Sequence, residues 1–164
     1  MAAQLLGAVA PEWMVYGVRD FDGDGRADIL FRRDSDGMLA LYLMNAFQIV
    51  EAQLLGAVGS EWHVVGLGDF NGDGRSDILF RRNDGMLALD LMDGFRLLEA
   101  RLLGVIGTEW TLIGTGDVDG DGISDMMFRR VSDGQLSLFR MHAFEILSTR
   151  LLGTVGKEWN ACKG

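Results

Sequence analysis

The chain of 164 residues repeats one phrase four times, and this internal repetition restricts its fold more than any other feature. The phrase runs from a Leu-Leu-Gly triplet to a Glu-Trp pair and ends at Trp13, Trp62, Trp110 and Trp159, at spacings of 49, 48 and 49 residues. The shorter spacing arises where RRDSDG (32–37) becomes RRNDG (81–85), a one-residue change that a hairpin loop tolerates. The sequence therefore predicts three copies of one structural unit, stacked side by side.

Each unit contains four short segments with the pattern of β-strands. In the first unit they are WMVYGV (13–18), DILFRR (28–33), GMLALYLM (37–44) and QIVEAQLLGAV (48–58). In the third segment Leu39, Leu41 and Leu43 share one face, because side chains alternate along a strand. No segment shows a sustained helical period of apolar residues. The pattern predicts an all-β fold of β-propeller blades, each a four-stranded antiparallel repeat.

The repeats give the expected boundaries along the chain. We expect a leading strand at 1–12, repeats at 13–61, 62–109 and 110–158, and a short tail at 159–164. Propellers have about four to eight blades, so three units cannot close a ring. The sequence therefore predicts self-association, most simply a homodimer that closes a six-bladed ring.

Every unit also carries a nine-residue acidic loop: DFDGDGRAD (20–28), DFNGDGRSD (69–77) and DVDGDGISD (117–125). Oxygen-bearing side chains occupy loop positions 1, 3, 5 and 9, and the glycine at position 6 allows a sharp turn that brings in the carbonyl of position 7. A hard, flexible set of oxygen ligands favours Ca²⁺ over Mg²⁺, and a bound cation would remove the repulsion between the carboxylates. We expect three Ca²⁺ sites, and the alternative is a set of solvated Asp-Gly turns. The predicted ligands are the side chains of Asp20, Asp22, Asp24, Asp28, Asp69, Asn71, Asp73, Asp77, Asp117, Asp119, Asp121 and Asp125, with the carbonyls of Arg26, Arg75 and Ile123.

These loops are not EF-hands, because phenylalanine stands at position 12, where that motif needs a bidentate glutamate. An aspartate at position 9 directly before an apolar strand, as in GDFNGDGRSDILF, resembles the calcium loops of FG-GAP (VCBS-type) repeats. Those repeats build the propeller of integrin α subunits and of many bacterial surface proteins. The resemblance implies calcium binding and an extracellular or cell-surface setting. The sequence departs from the name-giving motif, with YGVRDF, VGLGDF and IGTGDV at its place.

Charge and missing motifs restrict the function. The formal net charge of −9 argues against nucleic acid and anionic membranes as partners. The sequence has no signal-peptide pattern. It also has no GxSxG or HExxH motif, so we expect no enzyme activity. The leading hypothesis is a non-enzymatic calcium-binding scaffold for protein or glycan interaction. Two alternatives are a lectin that uses the Trp and Arg-Arg positions, and a non-catalytic segment of a secreted polysaccharide-degrading or adhesin protein.

Overall fold

The computed structural model describes residues 8–156, which form twelve strands in three antiparallel sheets. Blade 1 contains β1 (Trp13–Arg19), β2 (Asp28–Arg33), β3 (Met38–Asn45) and β4 (Gln48–Ala57). Blade 2 contains β5 (Trp62–Gly68), β6 (Asp77–Arg82), β7 (Met86–Asp93) and β8 (Arg96–Val105). Blade 3 contains β9 (Trp110–Gly116), β10 (Asp125–Arg130), β11 (Gln135–His142) and β12 (Glu145–Thr154). The strands of each sheet pair in chain order, so the predicted all-β fold of blade-like repeats is confirmed.

The three sheets of the described chain do not close into a ring. Most of the predicted leading strand and the whole predicted tail at 159–164 lie outside the described residues. The first described strand begins at Trp13, and residues 8–12 form an irregular segment and a turn. Among residues 8–156 we find no helix with the length and apolar character that crossing a membrane requires.

Two apolar cores hold the blades together. The first junction core joins blade 1, through Leu30 and Leu41, to blade 2, through Ile78 and Phe80. The second junction core joins the opposite face of blade 2 to blade 3 and contains Phe70, Leu79, Leu87, Leu89, Leu91, Met126, Phe128 and Met141. Because side chains alternate on a strand, the middle blade supplies one set of residues to each core.

The predicted packing roles are confirmed for some residues only. Leu39 and Leu41 are buried in the first junction core and Leu43 packs against it, as the alternation predicts. The repeated Leu-Leu-Gly triplets also predict leucines that fill these cores, but among their described leucines only Leu55 and Leu103 pack against them, and both Leu151 and Leu152 of the last triplet are exposed. Leu55 packs against the first junction core, whereas its neighbour Leu54 is 64% exposed. The outermost strands β4, β8 and β12 are exposed along nearly their whole length.

The innermost strands approach one another closely because a glycine of β1 lies at the contact with β5, and a glycine of β5 lies at the contact with β9. A methyl group added to Gly17 would overlap the side chain of Leu67, and one added to Gly66 would overlap Thr115. Thr115 also donates its hydroxyl proton to the carbonyl of Leu67 over 2.7 Å. Together these strands line a cavity of about 1220 Å³ at the centre of the arc.

The two arginines of each Phe-Arg-Arg triplet have different roles, since neighbouring residues on a strand face opposite sides. Arg81 reaches into blade 3 and donates to the carbonyls of Trp110, Ile106 and Gly107 over 2.5, 2.8 and 2.9 Å. Arg82 lies 5.3 Å from the centre of the Trp62 ring and forms an exposed ion pair with Asp84. Arg81 therefore ties blade 2 to blade 3, whereas Arg82 covers the tryptophan of its own blade.

Replacing Arg81 with methionine should lower the free energy of unfolding by about 2–3 kcal/mol, because three carbonyls lose a charged donor. The matched variant Arg82→Met should cost less than about 1 kcal/mol, because it removes an exposed ion pair and one ring contact. Urea denaturation of both variants measures the two costs. Equal costs would show that Arg81 does not join the blades.

A second prediction concerns Asp90, a half-buried carboxylate on β7. It occupies the position held by Tyr42 in blade 1 and Phe139 in blade 3. Burial raises the pKa of Asp90 to about 6. An acid whose pKa is raised by folding binds more protons in the folded state, so the free energy of unfolding falls as the pH rises from about 4 to about 6.

Asp90→Asn should therefore raise the free energy of unfolding at pH 7 by about 1 kcal/mol, allowing for water that screens a half-buried charge. The gain should vanish below about pH 4, where Asp90 is protonated in the folded and unfolded chain alike. Asp84→Asn is the control of opposite sign, since the Arg82 guanidinium lowers the pKa of Asp84 to about 2. Denaturation curves at several pH values test this, and a pH-independent effect of Asp90→Asn would contradict it.

Candidate metal-binding loops

The three acidic loops join the first and second strand of each blade and share one backbone conformation. Glycines at loop positions 4 and 6 have φ angles between 78° and 87°, a region that favours glycine. The position 1 aspartate holds this curl with both carboxylate oxygens. In loop 1, Asp20 accepts hydrogen bonds from the amides of Gly23 and Gly25 over 2.7 and 2.8 Å. Asp69 and Asp117 bind the corresponding amides of their own loops.

The position 9 aspartates Asp28, Asp77 and Asp125 are buried at the first residue of a strand. Each accepts one amide from loop position 2 and another from the end of the third strand. For Asp77 the donors are Phe70 at 2.8 Å and Met92 at 2.9 Å. These bonds anchor the acidic loop to the end of the third strand of its own sheet.

Burial makes the charge on these anchors costly. Desolvation, assisted by the charges of Asp73 and Asp69, raises the pKa of Asp77 to about 7 despite its two amide donors. The pKa values of Asp28 and Asp125 are raised for the same main reason. A nearby cation would favour the charged form of all three side chains.

The carboxylates converge in the first and third loops. One oxygen from each of Asp20, Asp22 and Asp28 lies within 4.8 Å of the others. The same holds for Asp117, Asp119 and Asp121 in the third loop. Among the described residues, the second loop forms no such group of three acids. There the Asn71 amide donates to Asp73 over 3.0 Å.

Arginines engage some of the predicted ligands. Asp24 pairs with Arg26 over 2.7 Å, which lowers the pKa of Asp24 and turns this carboxylate toward the arginine. Arg140 contacts Asp119 and Asp121 in the third loop. The structure thus gathers part of the predicted ligand sets of the first and third loops. The roles of the Arg26, Arg75 and Ile123 carbonyls stay a prediction.

The donor set in these loops fits a hard cation. Every clustered side chain offers a carboxylate oxygen, and all of them except the buried Asp28 lie at exposed or half-buried positions. Ca²⁺ takes six to eight such oxygens in a flexible arrangement, whereas Mg²⁺ demands a stricter octahedron. The residues present therefore suit Ca²⁺.

The first two acidic loops also bind the next blade, a contact that the sequence alone did not predict. The carbonyl of Asp20 accepts the amide of Ser76 over 2.7 Å, and that of Phe21 accepts Gly94 over 2.8 Å. The second and third blades repeat both bonds, from Ser124 to Asp69 and from Ala143 to Phe70, each over 2.6 Å. The sequence feature that bears on this contact is the glycine at loop position 4, since Gly23 packs beside Arg75 of the next loop.

Comparison with known proteins supports one family. Residues 20–80 match the FG-GAP-like repeat, a range that spans the first two acidic loops and ends within β6. The predicted resemblance is therefore confirmed. Among curated proteins, no match to the chain is found.

Removing the buried anchor should destabilise the fold independently of any metal. Asp77→Ala leaves two buried amides without an acceptor and should lower the free energy of unfolding by about 3 kcal/mol. The control Asp73→Ala, at an exposed position of the same loop, should cost less than about 1 kcal/mol. Urea denaturation in EDTA measures both, and similar losses would contradict the anchoring role of Asp77.

Proposed function

We propose that this chain, an FG-GAP-type repeat protein, is a non-catalytic β-propeller-like scaffold in which Ca²⁺ in the acidic loops holds neighbouring blades together. The observation that carries the proposal is the double role of loop 1, whose carboxylate cluster recurs in loop 3 and whose bonds to the next blade recur in loop 2. Its side chains gather carboxylate oxygens, while the carbonyls at positions 1 and 2 accept amides from the next blade. A cation that orders the loop therefore also orders the junction.

The residues that would hold the metal differ among the loops. In loop 1 they are Asp20, Asp22 and Asp28, and in loop 3 they are Asp117, Asp119 and Asp121. Asp24 and Asp125 would complete these sets, and Asp69, Asn71, Asp73 and Asp77 would serve loop 2. With one amide in place of a carboxylate, loop 2 should bind Ca²⁺ most weakly. Bound Ca²⁺ supplies positive charge, which offsets the repulsion between carboxylates and much of the net charge of −9.

A structural rather than catalytic role agrees with the family and with the site. FG-GAP-like repeats are typically non-catalytic. The strongest carboxylate clusters belong to the loops. There the position 1 aspartate accepts hydrogen bonds from loop amides, and the position 9 aspartate accepts the buried anchoring bonds. We place the protein in a calcium-rich extracellular or cell-surface setting, which is typical of these repeats.

The surroundings of the tryptophan rings distinguish a scaffold from a sugar-binding lectin. A lectin that stacks sugars on tryptophan would need open rings, but arginines cover the rings of Trp13, Trp62 and Trp110 at 4.9, 5.3 and 5.3 Å. We therefore favour a scaffold role over sugar stacking. On a glycan array, binding that is lost in Trp62→Ala but retained in EDTA would favour the lectin instead. A non-catalytic segment of a polysaccharide-degrading or adhesin protein is compatible with the scaffold proposal.

Calcium should stabilise the folded chain. A ligand that binds only the folded state at a hundredfold excess over Kd adds about 2.7 kcal/mol for one site. For a chain of this size, that corresponds to a rise in Tm of about 5–10 °C. Thermal unfolding followed by circular dichroism in millimolar Ca²⁺ and in EDTA measures the change. Equal Tm values in the two buffers would contradict the proposal.

Variants of single loops identify which loops bind Ca²⁺. Asp22→Asn and Asp119→Asn should each weaken binding in calorimetric titration, because each removes a clustered carboxylate. Asn71→Asp should strengthen binding at the second loop. Asp36→Asn, in a hairpin outside the loops, is the control and should leave the titration unchanged. A titration that is the same for all four variants would rule out these loops as the sites.

A further inference from the structure

The two ends of the three-blade arc expose residues that are buried at the internal junctions. At loop position 2, Phe21 and Phe70 are each 0% exposed because the next blade covers them. The corresponding Val118 of blade 3 is 51% exposed. We call the surface of blade 3 that includes Val118 and faces away from blade 2 the trailing face.

Blade 1 also exposes residues whose counterparts in another blade are buried. On blade 2, Leu67 is 7% exposed because blade 1 covers it, while the corresponding Val18 of blade 1 is 46% exposed. Ser76 and Ser124 are buried against the preceding blade, yet the corresponding Ala27 is exposed. We call this surface of blade 1, which faces away from blade 2, the leading face.

Two glycines on the trailing face have open space beside them, whereas the corresponding glycines of blade 2 contact blade 3. A methyl group on Gly66 or Gly68 would overlap side chains of blade 3. The corresponding Gly114 and Gly116 have no described atom within 4 Å of such a methyl group. Gly114 occupies the repeat position of Gly17, and Val18 occupies that of Leu67. The contact between Gly17 and Leu67 therefore corresponds to one between Gly114 of one copy and Val18 of another.

The backbone hydrogen bonds of the junctions also lack their matching halves at the two ends. Asp20 and Phe21 give their carbonyls to the next blade, whereas no described amide contacts the carbonyls of Asp117 and Val118. On the leading face the matching donors are the amides of Ala27 and Ala46. Ala46 already has a φ of 54°, close to the 58° and 50° of the bonded residues Gly94 and Ala143.

We propose that the trailing face of one chain docks on the leading face of a second copy and repeats the internal junction. Val18 would pack on Gly114 of the partner, and Ala27 and Ala46 would donate to the partner's Asp117 and Val118 carbonyls. Phe31, Met44 and Leu138 are already buried, so the new contact lies at the inner strands and the acidic loops.

The number of copies follows from the number of blades. Two chains give six blades, whereas three give nine, outside the usual range of about four to eight. In a ring of two chains, both trailing faces meet both leading faces around one two-fold axis, and no end remains exposed. The proposal rests on burial and backbone bonding, so it stands apart from the metal proposal.

Sedimentation equilibrium of the purified chain in millimolar Ca²⁺ tests this association. One chain has a mass of 18.0 kDa, so we expect a species of about twice that mass. Val18→Asp and Gly114→Asp should each give the single-chain mass, because each places a charge in the docked contact. The matched control Leu102→Asp, at an exposed position on the outermost strand of the middle blade, should keep the double mass.

A rescue variant separates docking from misfolding. Val18→Lys combined with Gly114→Asp should restore the double mass, because the opposite charges meet across the contact. Circular dichroism should show the same strand content for every variant. A folded wild-type chain at the single-chain mass would overturn the proposal. So would a double mass retained by both single aspartate variants. Calorimetry detects Ca²⁺ binding in either case, so the two proposals can fail separately.

Discussion

The structure depends on a buried aspartate that binds two backbone amides at the start of the second strand of each blade. Asp77 takes its donors from Phe70 in the acidic loop and from Met92 at the end of β7. One side chain thus fixes the loop to the end of the third strand of its sheet. The carbonyls of that loop are then held where the next blade can reach them, as Ser124 reaches Asp69. Acidic loop, blade and junction are therefore parts of one bonded unit.

This arrangement explains how a metal site can act as a structural joint. The loop carboxylates repel one another, and the burial of Asp77 adds to the cost of its charge. A divalent cation lowers both costs and holds the loop in its bonded form. Since that loop also bonds to the next blade, the stabilisation passes from one repeat to the next. A scaffold built in this way would be firm where calcium is plentiful and looser where it is scarce.

Much of the fold follows from the sequence because local patterns and long-range packing agree. The segment DILFRR (28–33) was predicted as a strand with the same bounds as the observed β2. Alternating Leu39 and Leu41 identified the core face of β3. Less of the candidate site could be predicted, because ligand spacing does not show competing partners. Arg26 draws Asp24 toward itself, for example. Neither could spacing show that Arg81 crosses to the next blade, since that contact exists only after the blades pack.

The central claim is that calcium lies in the acidic loops, and a crystal structure grown in millimolar Ca²⁺ tests it most directly. We expect one strong density peak in each of the three loops, with carboxylate oxygens at about 2.3–2.6 Å, the distances typical of Ca²⁺. We expect the peak in loop 2 to be the weakest, because Asn71 replaces a carboxylate there. Water alone in all three loops, at distances typical of hydrogen bonds, would contradict the claim.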